Sequence, residues 1–342
     1  MDKPRTIIIG ISGCSSGGKT TLARLLRDLF PSTFILHEDD FYKPESELPI
    51  THGFSDWDCP EAISIPDLEA ALVHIRETGS LPAMFESKEH LNSVGASPLS
   101  PARRAAIQSK VTAWLEPGQP GYQIFFGDSS PSSTSSSDGT TTINPNPNPN
   151  PTPTTKTKTK ICLLEGFLLF SPPSFTNIMT SLLDIRIFLR ASRNAALARR
   201  KARDGYVTLE GFWADPPGYV EKVVWPNYVR LHRWLFVQRK PSKDQPGQDG
   251  HDHEHDRDWQ RGDGVDQRNG KDVGKGEEEE EDVVDGGELD REVLKQAGIN
   301  AMVDRGEDVE FGEMAEWAVD LVMRELERIV LGRGEGGEKV DG

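Results

Sequence analysis

At 342 residues, with 35% hydrophobic content against 32 glycines and 24 prolines, the chain is too poor in apolar residues to be packed along its whole length. Its formal charge of −16 is local: between Lys240 and Arg291, 18 Asp/Glu face 6 Lys/Arg (6 − 18 = −12), which leaves −4 for the rest. That balance argues against a general nucleic-acid or anionic-membrane binder, and three scattered cysteines (Cys14, Cys59, Cys162) argue against a disulfide framework or a cysteine zinc site.

Residues 5–11, apolar without alternation, predict a buried parallel strand. After it comes Gly13-Cys14-Ser15-Ser16-Gly17-Gly18-Lys19-Thr20, which fits G-x-x-x-x-G-K-[ST], and then a helix with Leu22, Leu25, Leu26 and Leu29 on one face. Strand, glycine loop and helix together predict phosphate binding: the backbone N–H groups point into one concavity, and the helix adds its positive end. Lys19 would reach the β- and γ-phosphates, and the Thr20 hydroxyl would hold Mg²⁺.

Thr33–His37 predicts a second strand, ending in Glu38-Asp39-Asp40-Phe41-Tyr42-Lys43-Pro44. Carboxylates at the end of a parallel strand lie where α/β sheets place ligands, although a solvated charged turn is the commoner fate of such a run. Gly53 to Pro60 contains Trp57 between Asp56 and Asp58, and those acids predict that Trp57 is not fully buried. Pro66 opens a helix with Leu68, Ala71, Leu72 and Ile75. A short helix from Ser100-Pro101 to Trp114 is the one element expected before the Ser/Thr, Asn-Pro and Thr-Lys runs of 127–160, which cannot bury enough apolar surface to fold.

The sheet resumes at Ile161-Cys162-Leu163-Leu164-Glu165, whose terminal carboxylate would face Mg²⁺ across the phosphate loop. Asp184–Leu189 predicts another strand, and Ala195–Arg203 a basic helix with Arg199, Arg200 and Arg203, either a solvated face or a lid over phosphates. A helix with Val223, Val224, Tyr228 and Leu231 precedes the acidic tract, where His251, His253 and His255 make a poor metal site. A strand near Ile299–Val303 and a helix with Phe311, Met314, Ala318, Leu321 and Val322 close the order. The expected architecture is one α/β domain over 1–342, three layers with a parallel sheet flanked by helices and a small lid. Disordered insertions are expected at about 84–159, clearest over 127–160, and at 241–287.

Phosphoryl transfer needs phosphates held in line, their charge neutralised, and an acceptor hydroxyl deprotonated. Lys19, Thr20 and Glu165 serve donor and metal; Asp39 is the best-placed base, with Asp40 its rival. At Ser16-Gly17-Gly18-Lys19-Thr20-Thr21, Asp39 to Glu47, Glu165-Gly166-Phe167-Leu168-Leu169-Phe170, Asp215-Pro216-Pro217-Gly218-Tyr219 and Val224-Trp225-Pro226-Asn227-Tyr228, the chain resembles the nicotinamide riboside kinases, within the uridine-kinase-like nucleoside kinases. The resemblance implies a P-loop kinase fold that phosphorylates the 5′-hydroxyl of nicotinamide riboside with ATP and Mg²⁺. It implies Asp39 as base and, with Thr20 and Glu165, metal ligand. The loop Gly13, Cys14, Ser15, Ser16, Gly17, Gly18, Lys19, Thr20 and Thr21, with Arg199 and Arg203, would hold ATP. Asp39, Asp40, Phe41, Tyr42, Trp57, Asp58, Arg200 and Tyr206 would meet the nucleoside, Asp58 through ribose hydroxyls.

Trp57 and Tyr206 could sandwich the pyridinium ring, since an aromatic face attracts a cation by ~0.5–2 kcal/mol. A uridine/cytidine kinase and a non-catalytic nucleotide-binding protein are the alternatives. The partners expected are nucleoside and ATP, with no nucleic acid, membrane or obligate protein partner. No basic-then-apolar leader and no apolar run of ~18 residues is present, so a cytoplasmic or nuclear location is expected.

Overall fold

All but the first residue of β1 (Arg5–Gly13) are buried, because the strand is central and covered on both faces. The computed structural model describes residues 5–83, 85, 87, 98–127, 157–203, 205–208, 211–238 and 284–332, with the backbone alone at 206–208. β1 is followed by α1 (Lys19–Leu29), β2 (Thr33–His37), the small hairpin β3 (Ile50–Thr51) and β4 (Phe54–Ser55), and α2 (Ile65–Thr78). Next come α3 (Pro101–Trp114), α4 (Pro120–Phe126), β5 (Thr159–Glu165) and β6 (Ile185–Leu189). α5 (Arg193–Lys201) leads to the hairpin β7 (Tyr206–Thr208) and β8 (Gly211–Trp213). A π-helical turn, Val220–Val224, runs into α6 (Trp225–His232), and α7 (Arg291–Ala297), β9 (Ile299–Asn300) and α8 (Phe311–Leu331) complete the order.

The main sheet has the order β2-β5-β1-β6-β9 and every pairing in it is parallel. Alternation along β1 divides the core: Ile7, Ile9 and Ile11 pack with α1, α3, α4 and α8, while Ile8 packs with α2, α6 and α7. Helices therefore cover both faces, the expected three-layer α/β arrangement.

The insertion expected at about 84–159 is partly folded. Ile107, Val111 and Trp114 form a stripe on α3 that is buried, as are Ile124 and Phe125 of α4, and both helices pack toward α8. Ser100 caps α3 by accepting from Arg103 N–H, and the Trp114 indole N–H donates to Glu327. The second insertion also ends earlier than residue 287: Val284 is buried, and Asp285 accepts from the Arg193 backbone N–H at the start of α5. The low-complexity runs at 128–156 and the acidic tract at 239–283, with its three histidines, lie outside the described residues. At their bases the chain is closed, by Lys158 N–H to Phe125 O (2.8 Å) and Val237 N–H to Glu288 O (2.8 Å).

Candidate active site

The register brings the carboxyl ends of three strands together, with Ile11 beside Glu165 and Glu165 beside His37. β1 then turns into the phosphate loop. Gly13 has φ 144°, and a Cβ there would lie 2.2 Å from Leu189 O, so only glycine lets the loop leave the sheet past β6. Gly18, at φ 95°, hands the loop to α1, whose N-terminus has no side-chain cap. Its orphan N–H groups face the cleft, as a phosphate-binding loop requires. Lys19 is buried with its ammonium 3.0 Å from Cys14 O, which curls it back over the loop.

The cleft beside the loop has a volume of about 320 Å³ and is lined by Ser15, Ser16, Gly18, Lys19, Thr20 and Thr21, by Asp39, Glu165, Gly166 and Phe167, and by Arg199 and Arg203. Arg199 and Arg203 are four residues apart and share one side of the α5 segment; both are exposed. Three cations thus face two carboxylates around the cavity. Glu165 Oε1 accepts from the Thr20 hydroxyl at 3.0 Å and lies 2.7 Å from His37 Nδ1. Burial alone would raise the Glu165 carboxyl, but His37, Lys19 and Thr20 outweigh it and hold the group below its ordinary range. Asp39, exposed on the opposite wall, projects from the short turn Glu38–Phe41 that ends β2.

Glu38, beside it, points the other way. It is fully buried, its Oε2 accepts from Leu168 N–H at 3.2 Å, and burial followed by the charge of Asp39 pushes it up to about 8. A Cβ on Gly166 would come within 2.4 Å of that oxygen, so the glycine after Glu165 is the space that Glu38 fills. The turn carrying Asp39 is thereby clasped to the end of β5.

Beyond Asp39 lies an aromatic and acidic wall. Trp57 is only 6% exposed, against the sequence expectation. The acids that flank it are satisfied inside the fold. Asp56 accepts from Asn227 (3.1 and 3.0 Å), Thr51 (2.8 Å) and Asp58 N–H (3.0 Å). Asp58 forms a two-pronged pair with Arg200, at 2.9 and 3.2 Å. Arg200 also grips Asp215 at 2.8 and 2.9 Å and donates to the Ser15 hydroxyl at 2.8 Å. Burial raises the Asp58 carboxyl, and Arg200 and Tyr219 offset part of that rise. Trp57 packs at a tilt of 53° against Trp213 of β8, ring centres 5.5 Å apart, and edge-on with Tyr42 at 5.3 Å.

The structure therefore brings together Ser15, Ser16, Gly18, Lys19, Thr20, Thr21, Asp39, Glu165, Arg199 and Arg203 around one cleft, with Trp57, Asp58, Arg200 and Tyr42 beside it. Cys14 and Gly17 form the floor of the loop, with Gly17 N–H on Cys14 O at 3.0 Å. Phe41 is packed into the core and stacks on Phe85, so it does not line the cleft; Asp40 is half-buried beside Asp39. Tyr206 pairs through its backbone with Trp213, and its side chain lies outside those described. In place of Tyr206, Trp213 is the described aromatic partner of Trp57. Glu38, Asp215, Trp213 and Tyr219 are contacts that the sequence reading assigned no role, although Asp215-Pro216-Pro217-Gly218-Tyr219 stood out as a motif.

A parallel sheet with a glycine loop on its central strand, and carboxylates at the ends of the next two strands, is the arrangement of an α/β P-loop kinase. The chain is 33% identical over 233 residues to the nicotinamide riboside kinase of Schizosaccharomyces pombe, covering 68% of this chain and 82% of the relative. It is 30% identical over 239 residues to that of Saccharomyces cerevisiae (69% and 82%), and 28% identical over 233 residues to that of Eremothecium gossypii (68% and 78%). No family model matches the chain. The chain belongs to the nicotinamide riboside kinase family. Among the described residues, no helix is long and apolar enough to cross a membrane.

Proposed function

We propose that the protein transfers the γ-phosphoryl group of ATP to the 5′-hydroxyl of nicotinamide riboside, giving nicotinamide mononucleotide and ADP. The observation that carries the reading is Asp39 in the same cleft as Lys19 and Thr20, because a base must face the donor across the reacting oxygen. The loop N–H groups and Lys19 hold the phosphates; Arg199 and Arg203 neutralise charge on the group in transfer. Asp39 accepts the 5′-hydroxyl proton as the new P–O bond forms and the bond to the ADP oxygen breaks. Asp58 is the candidate partner of the ribose hydroxyls.

The donor set fits Mg²⁺. Thr20, Glu165 and Asp39 offer only oxygen, and a Thr20 hydroxyl already within hydrogen-bond reach of Glu165 suits a hard cation. Among the described residues no group of three His, Cys, Asp or Glu side chains is spaced to hold a metal alone, so phosphate oxygens would complete the shell. Bound there, the ion would neutralise charge on the β- and γ-phosphates. Choice of acceptor is supported by charge: Arg200 faces both Asp58 and Asp215, leaving one excess negative charge, and the half-buried ring of Trp213 lies beside them, its indole N–H donating to Asp215. A pyridinium cation gains from both, by ~0.5–2 kcal/mol per aromatic face. Three free, buried cysteines suit the reducing interior of a cell.

Release of ADP measured separately with nicotinamide riboside, nicotinic acid riboside, uridine and cytidine tests the reading. Turnover is expected with the first and to disappear in Asp39→Ala while ATP affinity stays near wild type. Survival of turnover in Asp39→Ala would remove Asp39 as the base.

A further inference from the structure

The turn Asp215–Tyr219 reaches into the acceptor wall with two side chains. Asp215 grips Arg200, as described. Tyr219 is fully buried, yet its hydroxyl is fully used: it donates to Asp58 Oδ2 at 2.9 Å and accepts from the Trp57 backbone N–H at 3.0 Å. Trp57 and Asp58 lie outside any strand or helix, so no ladder of backbone bonds fixes them. The turn itself is rigid. Tyr219 N–H closes it on Pro216 O at 3.0 Å, two prolines restrict it, and the Tyr219 ring packs edge-on against Phe54 and Trp213 at 5.7 and 6.0 Å.

We propose that Tyr219 is a positioning residue for acceptor binding: its hydroxyl holds the Trp57–Asp58 peptide and aims the Asp58 carboxylate at the nucleoside. The proposal rests on the reading of Asp58 as an acceptor ligand. Burial pushes the ionisation of the phenol far up, so the hydroxyl stays a donor throughout the working pH range. Phenylalanine at this position would keep the ring packing while leaving Trp57 N–H without its acceptor and Asp58 Oδ2 with Arg200 alone.

The test uses the full chain and three variants: Tyr219→Phe, Asp58→Asn and the double variant. Nicotinamide riboside and ATP are varied independently. A hydrogen bond to a charged group is worth roughly a tenfold change, so Tyr219→Phe is expected to raise the KM for nicotinamide riboside about tenfold. Its kcat and its KM for ATP should stay within about twofold. Asp58→Asn should raise the riboside KM further, and the double variant should be no worse than Asp58→Asn, because Tyr219 acts through Asp58. An unchanged riboside KM in Tyr219→Phe, two effects that multiply, or an equal loss at the ATP site would each overturn the proposal while leaving the Asp58 reading intact. An unchanged riboside KM in Asp58→Asn would overturn the Asp58 reading, and the proposal with it.

Discussion

Replacing Arg200 tests how much of the acceptor wall rests on one guanidinium. The side chain is 7% exposed and, among the described residues, donates twice to Asp58, twice to Asp215 and once to Ser15, tying α5, the Trp57–Asp58 stretch and the phosphate loop together. Arg200→Met would strand two carboxylates that are 3% and 15% exposed, and breaking such a buried pair costs about 3–5 kcal/mol. With a urea slope of about 3 kcal/mol/M for a fold of this size, the unfolding midpoint should fall by about 1–1.7 M at pH 8. Arg200→Lys keeps the charge but loses the fork, so it should lie between the two proteins.

The sign of the pH effect follows from Asp58. Burial already raises its folded pKa above the unfolded value, and without Arg200 it rises further; that contribution is present at low pH and lost as pH rises. The deficit of Arg200→Met should therefore shrink between pH 8 and pH 5. Urea melts at both values measure it. A midpoint within 0.2 M (roughly 0.6 kcal/mol) of wild type at pH 8, or a deficit that grows on acidification, would refute the reasoning.

Gly166→Ala places a methyl against the Glu38 carboxyl and should displace it from Leu168 N–H, costing about 1–3 kcal/mol and lowering kcat by moving Asp39; melts and turnover of the one variant check both. His232 is fully buried, stacked on Phe188 and Tyr228, and burial depresses it to about 4. A depressed folded value gives stability that is full above the unfolded pKa and lost as pH falls, so up to about 3 kcal/mol should disappear between pH 6.5 and 4, and His232→Phe should flatten that limb in urea melts. Deleting 128–156 or 239–283 with a short glycine-serine bridge should leave kcat/KM within about threefold, since the described residues on either side of each segment are already joined by backbone hydrogen bonds. Extending the second deletion through residue 287 should cost more, because Asp285 caps α5 and the Gly287 carbonyl accepts from Arg190.

The donor half of the site was legible because its parts are adjacent in sequence. Strand, glycine loop and helix run from Arg5 to Leu29 without interruption, and Thr20 needs only Glu165, itself at the end of an evident strand. The acceptor half was less legible because its geometry is made by distant pairs. Trp57 looked too acidic in its neighbours to be buried, yet Arg200 and Asn227, 142 and 171 residues away from the acids they bind, remove the objection. Glu38 had no role of its own within an acidic run read as facing the ligand; only the proximity of Gly166 reveals the space it occupies. Helix α3 was legible from Ser100-Pro101 and the spacing of Ile107, Val111 and Trp114, but α4 was not, because its burial depends on α8, some 200 residues later, and low-complexity sequence follows it directly.

The most direct measurement of the central claim is a competition. Nicotinamide riboside and uridine are supplied together at equal concentration with limiting ATP and Mg²⁺, and the two monophosphates are separated and quantified. Nicotinamide mononucleotide should form in large excess, because a cationic base meets the half-buried Trp213 ring and a surplus carboxylate where uracil gains little. Uridine monophosphate as the main product would contradict the account.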